Sequence, residues 1–222
     1  MKRTKKKISP DDISAQAREN ILKKLNSAKG SIENPLLSRF EDKGGFVFPE
    51  PVRLMEIFVS ELEEINGTAI VAKDSADAEK KLTATLSEKN IEEIFCTDNS
   101  LFKELSGLPL TNDPDKFRYM KAGITKCEAL IARSGSVMVS SNGSGRQMNV
   151  FPPVHIIWTY SSQLVPFISD AFENLKNKYD KDIPSQVSIV TGPSRTADIE
   201  KTLVMGAHGP RELVVVIIDE KL

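Results

Sequence analysis

Leu213-Val-Val-Val-Ile-Ile218 is a run of six apolar residues close to the end of the 222-residue chain. A strand with one wet face alternates apolar and polar residues, whereas a strand covered on both faces has no reason to alternate. The run therefore reads as a central strand of a parallel sheet with layers packed on both sides. Working back from it, residues 187–191, 154–159, 136–140, 94–97 and 68–72 read as further strands. Helical stretches fall between them at 74–88, 100–105, 163–178 and 197–205, and in the first of these Ala78, Leu82 and Leu86 share one face. Strands alternating with helices make βα units, so the fold expected is α/β with an open, largely parallel sheet.

The first 65 residues have a different texture. Ile13, Ala17, Ile21, Leu22 and Leu25 recur at helical spacing behind Asp11-Asp12. Gly30, Asn34-Pro35, Gly44-Gly45, Pro49 and Pro51 then mark loop, and Leu54, Ile57, Phe58, Leu62 and Ile65 resume a helical stripe that stops at Asn66-Gly67. The division expected is a basic tip with an irregular helical arm over residues 1–67, packing on an α/β domain over residues 68–222.

Thirty basic against 31 acidic residues leave a net charge of -1, which argues against a general nucleic-acid binder. Lys2, Arg3, Lys5, Lys6 and Lys7 concentrate positive charge at the tip, and such a block reads as a solvated tail. Ile8-Ser9-Pro10-Asp11-Asp12 turns polar at once, so no signal-peptide core is expected. Six apolar residues are far fewer than the roughly 20 that span a bilayer, so no membrane insertion is expected. The only cysteines, Cys96 and Cys127, suggest a thiol-reduced, cytoplasmic setting. They are too few to hold an iron–sulfur cluster, which takes about four such ligands, and no metal-ligand spacing accompanies them or either histidine.

The sharpest candidate site is Thr191-Gly192-Pro193-Ser194-Arg195-Thr196, where a strand gives way to the helix expected at 197–205. A helix N-terminus beyond a strand offers free N–H groups to an anion. Thr191, Ser194 and Thr196 add hydroxyls, and Arg195 adds a planar fork for carboxylate or phosphate. The same residues also make a well-capped βα turn, with Ser194 or Thr196 as the cap and Asp198 and Glu200 against the dipole. A weaker candidate is the loop with Gly143, Gly145 and Arg146, whose glycines allow close backbone approach to a ligand or a mobile turn. His155 opens a strand and His208 sits between glycines before the last one; each reads as a ligand contact or as a packing residue. Glu128, beside the apolar stretch 129–132, is a candidate nucleophile or general base, with His208 as the alternative acid/base. A solvated helix face is the plainer account of Glu128.

The stretch from Ile189 to Pro210, IVTGPSRTADIEKTLVMGAHGP, resembles the signature of the LUD domain, which defines the lactate-utilisation protein C (LutC/YkgG) family. Gly123-Ile-Thr, Ser134-Gly-Ser-Val and Pro152-Pro-Val-His155 are similar to two upstream blocks of that family in the same order. The resemblance implies a phosphosugar isomerase/CoA-transferase-like fold, and a role in bacterial oxidation of L-lactate to pyruvate beside iron–sulfur partner proteins. It implies a component that holds no cluster itself, with no catalytic residue to carry over. Many members place an acid where this chain has Arg133, which leaves Glu128 as the nearby carboxylate. Two readings follow: a non-iron–sulfur component binding a small anionic ligand, or a free-standing transferase- or isomerase-like enzyme on a phosphorylated or CoA-linked substrate.

Overall fold

A computed structural model of the chain describes residues 10–27, 54–199, 202–206 and 209–220. The basic tip and His208 lie outside the described residues. The chain divides into two units, residues 1–49 and 50–222. The first contains helix α1 (Pro10–Ser27), stapled on its surface by a Glu19–Lys23 ion pair at 2.9 Å.

The second unit is built on a six-stranded sheet. Its strands are β1 (Thr68–Ala72), β2 (Ile94–Phe95), β3 (Leu110–Thr111), β4 (Ala122–Lys126), β7 (Val154–Tyr160) and β12 (Glu212–Ile218), in the order β1-β12-β7-β4-β2-β3. Every pairing is parallel. The unbroken apolar run sits near the middle, as its composition requires. Val214, Val216 and Ile218 face one core, whereas Leu213, Val215 and Ile217 face another. At about 2 kcal/mol for each fully buried aliphatic side chain, β12 is a principal contributor to the unit.

The first core is closed by α3 (Ser75–Glu88) and α4 (Asn99–Glu104). Asp74 caps α3 by accepting from the Asp77 N–H at 2.8 Å, and Ala78, Leu82 and Leu86 are buried. Asp98 caps α4 through the N–H groups of Ser100 and Leu101. The opposite face is covered by α2 (Leu54–Glu64), which buries Phe58 and Leu62, and by a second sheet. That sheet has the order β8-β5-β6-β9 and consists of β5 (Ala129–Ile131), β6 (Ser136–Ser140), β8 (Leu164–Val165) and β9 (Val187–Val190). Leu130 of β5 turns toward the large sheet, while Ala129 and Ile131 turn outward onto α5 (Ile168–Tyr179). This period-two split makes β5 a strand, although its residues all read as apolar.

Two expectations need correction. In place of the helix expected at 197–205, β10 (Arg195–Ile199) and β11 (Thr202–Met205) pair antiparallel as a separate ribbon, with a register irregularity between Thr196 and Ile199. Thr196, Ile199, Thr202 and Val204 are β-branched and suit a ribbon, and over so short a window the helical pattern does not discriminate. The ribbon is closed at its base by the Gly206 N–H donating to the Ser194 carbonyl at 2.9 Å. The second correction is Glu128, which lies on a turn between β4 and β5 and not on a helix.

Candidate functional site

The parallel sheet has two edges, and each carries a cleft. At the carboxyl edge β4 ends at Lys126, β7 ends at Tyr160 and β2 runs out toward Asp98. These ends, with the turn at Glu128 and the loop at Gly143, surround a cleft of about 490 Å³. Glu128 accepts from Lys178 at 2.8 Å and from the Tyr179 hydroxyl at 2.9 Å, and it also accepts from the Ser140 hydroxyl. Its side chain is 8% exposed. Burial pushes the carboxyl up, but the hydrogen bonds from Lys178, Ser140 and Tyr179 outweigh it and hold Glu128 below the ordinary range. It is therefore a fixed carboxylate at neutral pH.

Lys126 donates to the Ser100 hydroxyl at 2.7 Å, and its charge also helps to hold Asp98 ionised. The Tyr160 hydroxyl donates to Glu104. Gly143 comes so close to Asp98 that a Cβ there would meet Oδ2 at 2.3 Å, and its φ of 75° suits glycine. Cys127 borders the cleft but is buried, and burial pushes its thiol up to about 12; it is not a ready nucleophile.

The amino-edge cleft lies where residues enter the strands. Ile65 precedes β1, Asn149 and Val150 precede β7, and Gly209-Pro210 precede β12; together with residues 188–195 they surround about 520 Å³. Arg195 is exposed and donates through Nη2 to the Ile65 carbonyl at 2.7 Å. The Ser194 N–H donates to the Pro210 carbonyl at 2.8 Å. Gly192, at φ 79°, passes so close to the same Ile65 carbonyl that a Cβ would meet its oxygen at 2.6 Å. Thr191 shares a hydrogen bond with Ser136 at 2.9 Å. The turn is thus strapped to three elements, and Arg195 remains exposed.

Asn149 borders this cleft and is 4% exposed. Its Nδ2 donates to the Ser140 carbonyl at 3.0 Å, and its buried Oδ1 has no partner among the described residues.

The residues singled out in the sequence therefore fall in different places. Gly143 and Glu128 border the carboxyl-edge cleft, while Thr191, Gly192, Ser194 and Arg195 border the amino-edge cleft. Gly145 and Arg146 border neither; the Arg146 Nε donates to the Ser185 hydroxyl at 3.2 Å. His155 is fully buried in the large sheet, with Nε2 and the Thr125 hydroxyl 2.9 Å apart and Nδ1 unpartnered. Burial pushes its pKa down to about 4, so it is neutral at pH 7. The Thr196 side chain, like His208, lies outside the described residues. Sequence reading passed over Lys126, Lys178, Tyr179 and Asn149. Lys178 and Tyr179 ride on α5, some 50 residues from Glu128, and no local pattern signals that pairing. Among the described residues, no group of three or more His, Cys, Asp or Glu is placed to hold a metal ion.

Residues 111–218 match the LUD domain family model. The chain carries a LUD domain over these residues. An uncharacterised protein of Neisseria meningitidis serogroup B is 35% identical over 136 residues, covering 61% of this chain and 54% of that protein. Lactate utilization protein C of Geobacillus sp. (strain WCH70) is 35% identical over 102 residues, 45% of this chain and 42% of the relative. Its namesake in Bacillus licheniformis is 30% identical over 158 residues, 70% of this chain and 64% of the relative. The LUD-domain chain thus spans less than two thirds of each of these three relatives. Among solved structures, a DUF162 family protein from Deinococcus radiodurans shares the fold with a TM-score of 0.57 at 17% identity, covering 76% of this chain and 99% of that one. Among the described residues of this LUD-domain protein, no helix is long and apolar enough to cross a membrane.

Proposed function

We propose that the protein serves lactate utilisation as a component that holds no iron–sulfur cluster of its own and binds a small anionic ligand in the amino-edge cleft. Its expected setting is the cytoplasm, beside iron–sulfur partner proteins that oxidise L-lactate to pyruvate. The observation that carries the reading is the shared name, lactate utilization protein C, of relatives matched at 30–35% identity. The cleft supports it: Arg195 presents a guanidinium at the end of a turn whose position is fixed by backbone hydrogen bonds, and a planar fork suits a carboxylate.

The test is L-lactate oxidation by the iron–sulfur partners, purified with and without this chain, with an artificial electron acceptor reporting turnover. The expected result is that turnover requires the chain and falls at least about tenfold with Arg195→Gln, the effect of one lost charge-assisted hydrogen bond. Equal turnover without the chain overturns the reading.

The geometry of Glu128 favours one second reading, a free-standing transferase- or isomerase-like enzyme acting on a phosphorylated or CoA-linked substrate. A carboxylate held ionised beyond the ends of parallel strands is placed for nucleophilic or base chemistry. That reading requires turnover by the purified chain alone, abolished in Glu128→Gln. No turnover across a broad substrate panel sinks it.

A further inference from the structure

The second sheet ends in an open edge. Its order is β8-β5-β6-β9, so β9 pairs with β6 on one side and, among the described residues, with no strand on the other. The backbone groups left over can be named. In an antiparallel pair, residues that bond across the ladder alternate with residues whose N–H and C=O turn away. The Met138 carbonyl of β6 accepts from the Glu128 N–H at 2.7 Å, and the Ser141 N–H donates to the Gln186 carbonyl at 3.0 Å. Met138 therefore turns toward β5, and its register partner Ile189 turns its own N–H and C=O away from β6. Val187, two residues earlier on the strand, does the same. Natural edge strands are blunted by charge, proline or a bulge. Val187-Ser-Ile-Val190 contains no charge and no proline, and its register with β6 is unbroken.

The amino-edge cleft runs beside this edge. Ile189 packs toward α5 and Val190 toward the large sheet, yet both border the cleft, as do Ser188 and Thr191. A space that meets residues from both faces of a strand lies along its backbone and not over one side. Among the described residues that border the cleft, Arg195 is the one that is charged, and its guanidinium is bonded to a carbonyl, not to a carboxylate. Val150, 47% exposed, gives the cleft an apolar shoulder. We infer that the cleft takes an extended segment of a partner protein as an added strand on β9, with an acidic side chain of that segment on Arg195. Main-chain bonds to Val187 and Ile189 give affinity, while Arg195 and Val150 select the segment. The inference goes beyond the anion-site reading: it stands on the strand edge, and the carboxylate that meets Arg195 is borne by a polypeptide.

The test pans displayed random peptides of about eight residues, the length of an ordinary strand with its flanks, against the full chain. Synthetic copies of the recovered sequences are then titrated by fluorescence polarisation. They should share an acidic residue near one end. N-methylation at the alternate positions that face β9 should weaken binding at least about tenfold, and N-methylation at the intervening positions should not. Ile189→Pro removes an outward N–H that β6 does not use, a place where an edge strand tolerates proline. Arg195→Gln removes the charge and keeps a donor for the Ile65 carbonyl. Each variant should weaken binding by a similar factor. Thermal melting checks that both fold, and the N-methyl series decides the question if Ile189→Pro does not. Recovery of no peptide, or binding indifferent to N-methylation, overturns the inference and leaves the lactate-oxidation test of Arg195 standing. Binding indifferent to Arg195→Gln overturns the acidic contact. Self-association of the chain that Ile189→Pro abolishes overturns the partner in favour of a second copy at this edge.

Discussion

The two edges of the large sheet are built from opposite materials. At the carboxyl edge Glu128 accepts three hydrogen bonds and Tyr160 is tied to Glu104, while Lys126 leans on Ser100. Most of what lines that cleft is side chain, and most of it is charged or hydroxylic. At the amino edge the contacts are mainly backbone: the Ser194 N–H on Pro210, Arg195 on the Ile65 carbonyl, and Gly192 pressed against the same carbonyl. Asn149 and His155, both near that edge, each keep a buried polar atom without a partner. A satisfied charged network resists change and holds one protonation state. A backbone-framed cleft is held by contacts that side-chain ionisation does not touch.

The largest effect that would sharpen this contrast is acid sensitivity at the amino edge. His155 is neutral when folded, with its pKa pushed down to about 4 from an ordinary 6.5. The unfolded chain therefore binds a proton at higher pH than the folded one. The stabilising contribution is complete above pH 6.5 and is lost as pH falls toward 4, by about 3 kcal/mol. Urea denaturation across that window should show the loss in the native chain and a much shallower slope in His155→Gln. Equal slopes would mean that the ring reaches water, and the picture of a sealed sheet would break.

Gly192→Ala comes next. The added Cβ meets a carbonyl that cannot move without shifting the α2–β1 turn, in a backbone conformation costly for alanine. About 2–3 kcal/mol of destabilisation is expected from strain and overpacking together. Gly145→Ala is the control: its φ is 75° but nothing lies within 4 Å of its Cβ position, so about 1 kcal/mol is expected. Similar costs at the two positions would show that the strap at the amino edge is loose.

At the carboxyl edge Glu128→Gln should cost about 2 kcal/mol, because Lys178 loses its ion pair and three donors meet a weaker acceptor. With a folded pKa below its ordinary 4.5, the Glu128 carboxylate stabilises the fold above that pH, and the contribution disappears as pH falls through the lower folded value. Stability measured between pH 3 and pH 6 should lose that part of its pH dependence in the variant. A variant as stable as the native chain would show that the network is surface decoration.

Much of the frame was legible along the chain. The run at 213–218 announced a doubly covered strand, and α3 was visible from Ala78, Leu82 and Leu86, because both signals are local periodicities. The second sheet was harder to see. Ala129-Leu-Ile131 shows no alternation in sequence, since both of its faces are buried, one against the large sheet and the other against α5. The β10–β11 ribbon was missed because its few β-branched residues compete with a helical pattern over a window too short to separate them.

The candidate sites divide in the same way. The sequence by itself determined which chemical groups were present: Arg195 after a Gly-Pro turn, Glu128 beside an apolar stretch, two histidines and two cysteines. It also determined the LUD signature, since residue identity in order is all that a signature needs. Only the tertiary structure decided that Arg195 and Glu128 line different clefts, that His155 is sealed in the sheet, and that Asn149 is buried with its Oδ1 unpartnered among the described residues. Burial and hydrogen-bond satisfaction depend on which distant segments meet, and no local pattern in the chain encodes that meeting.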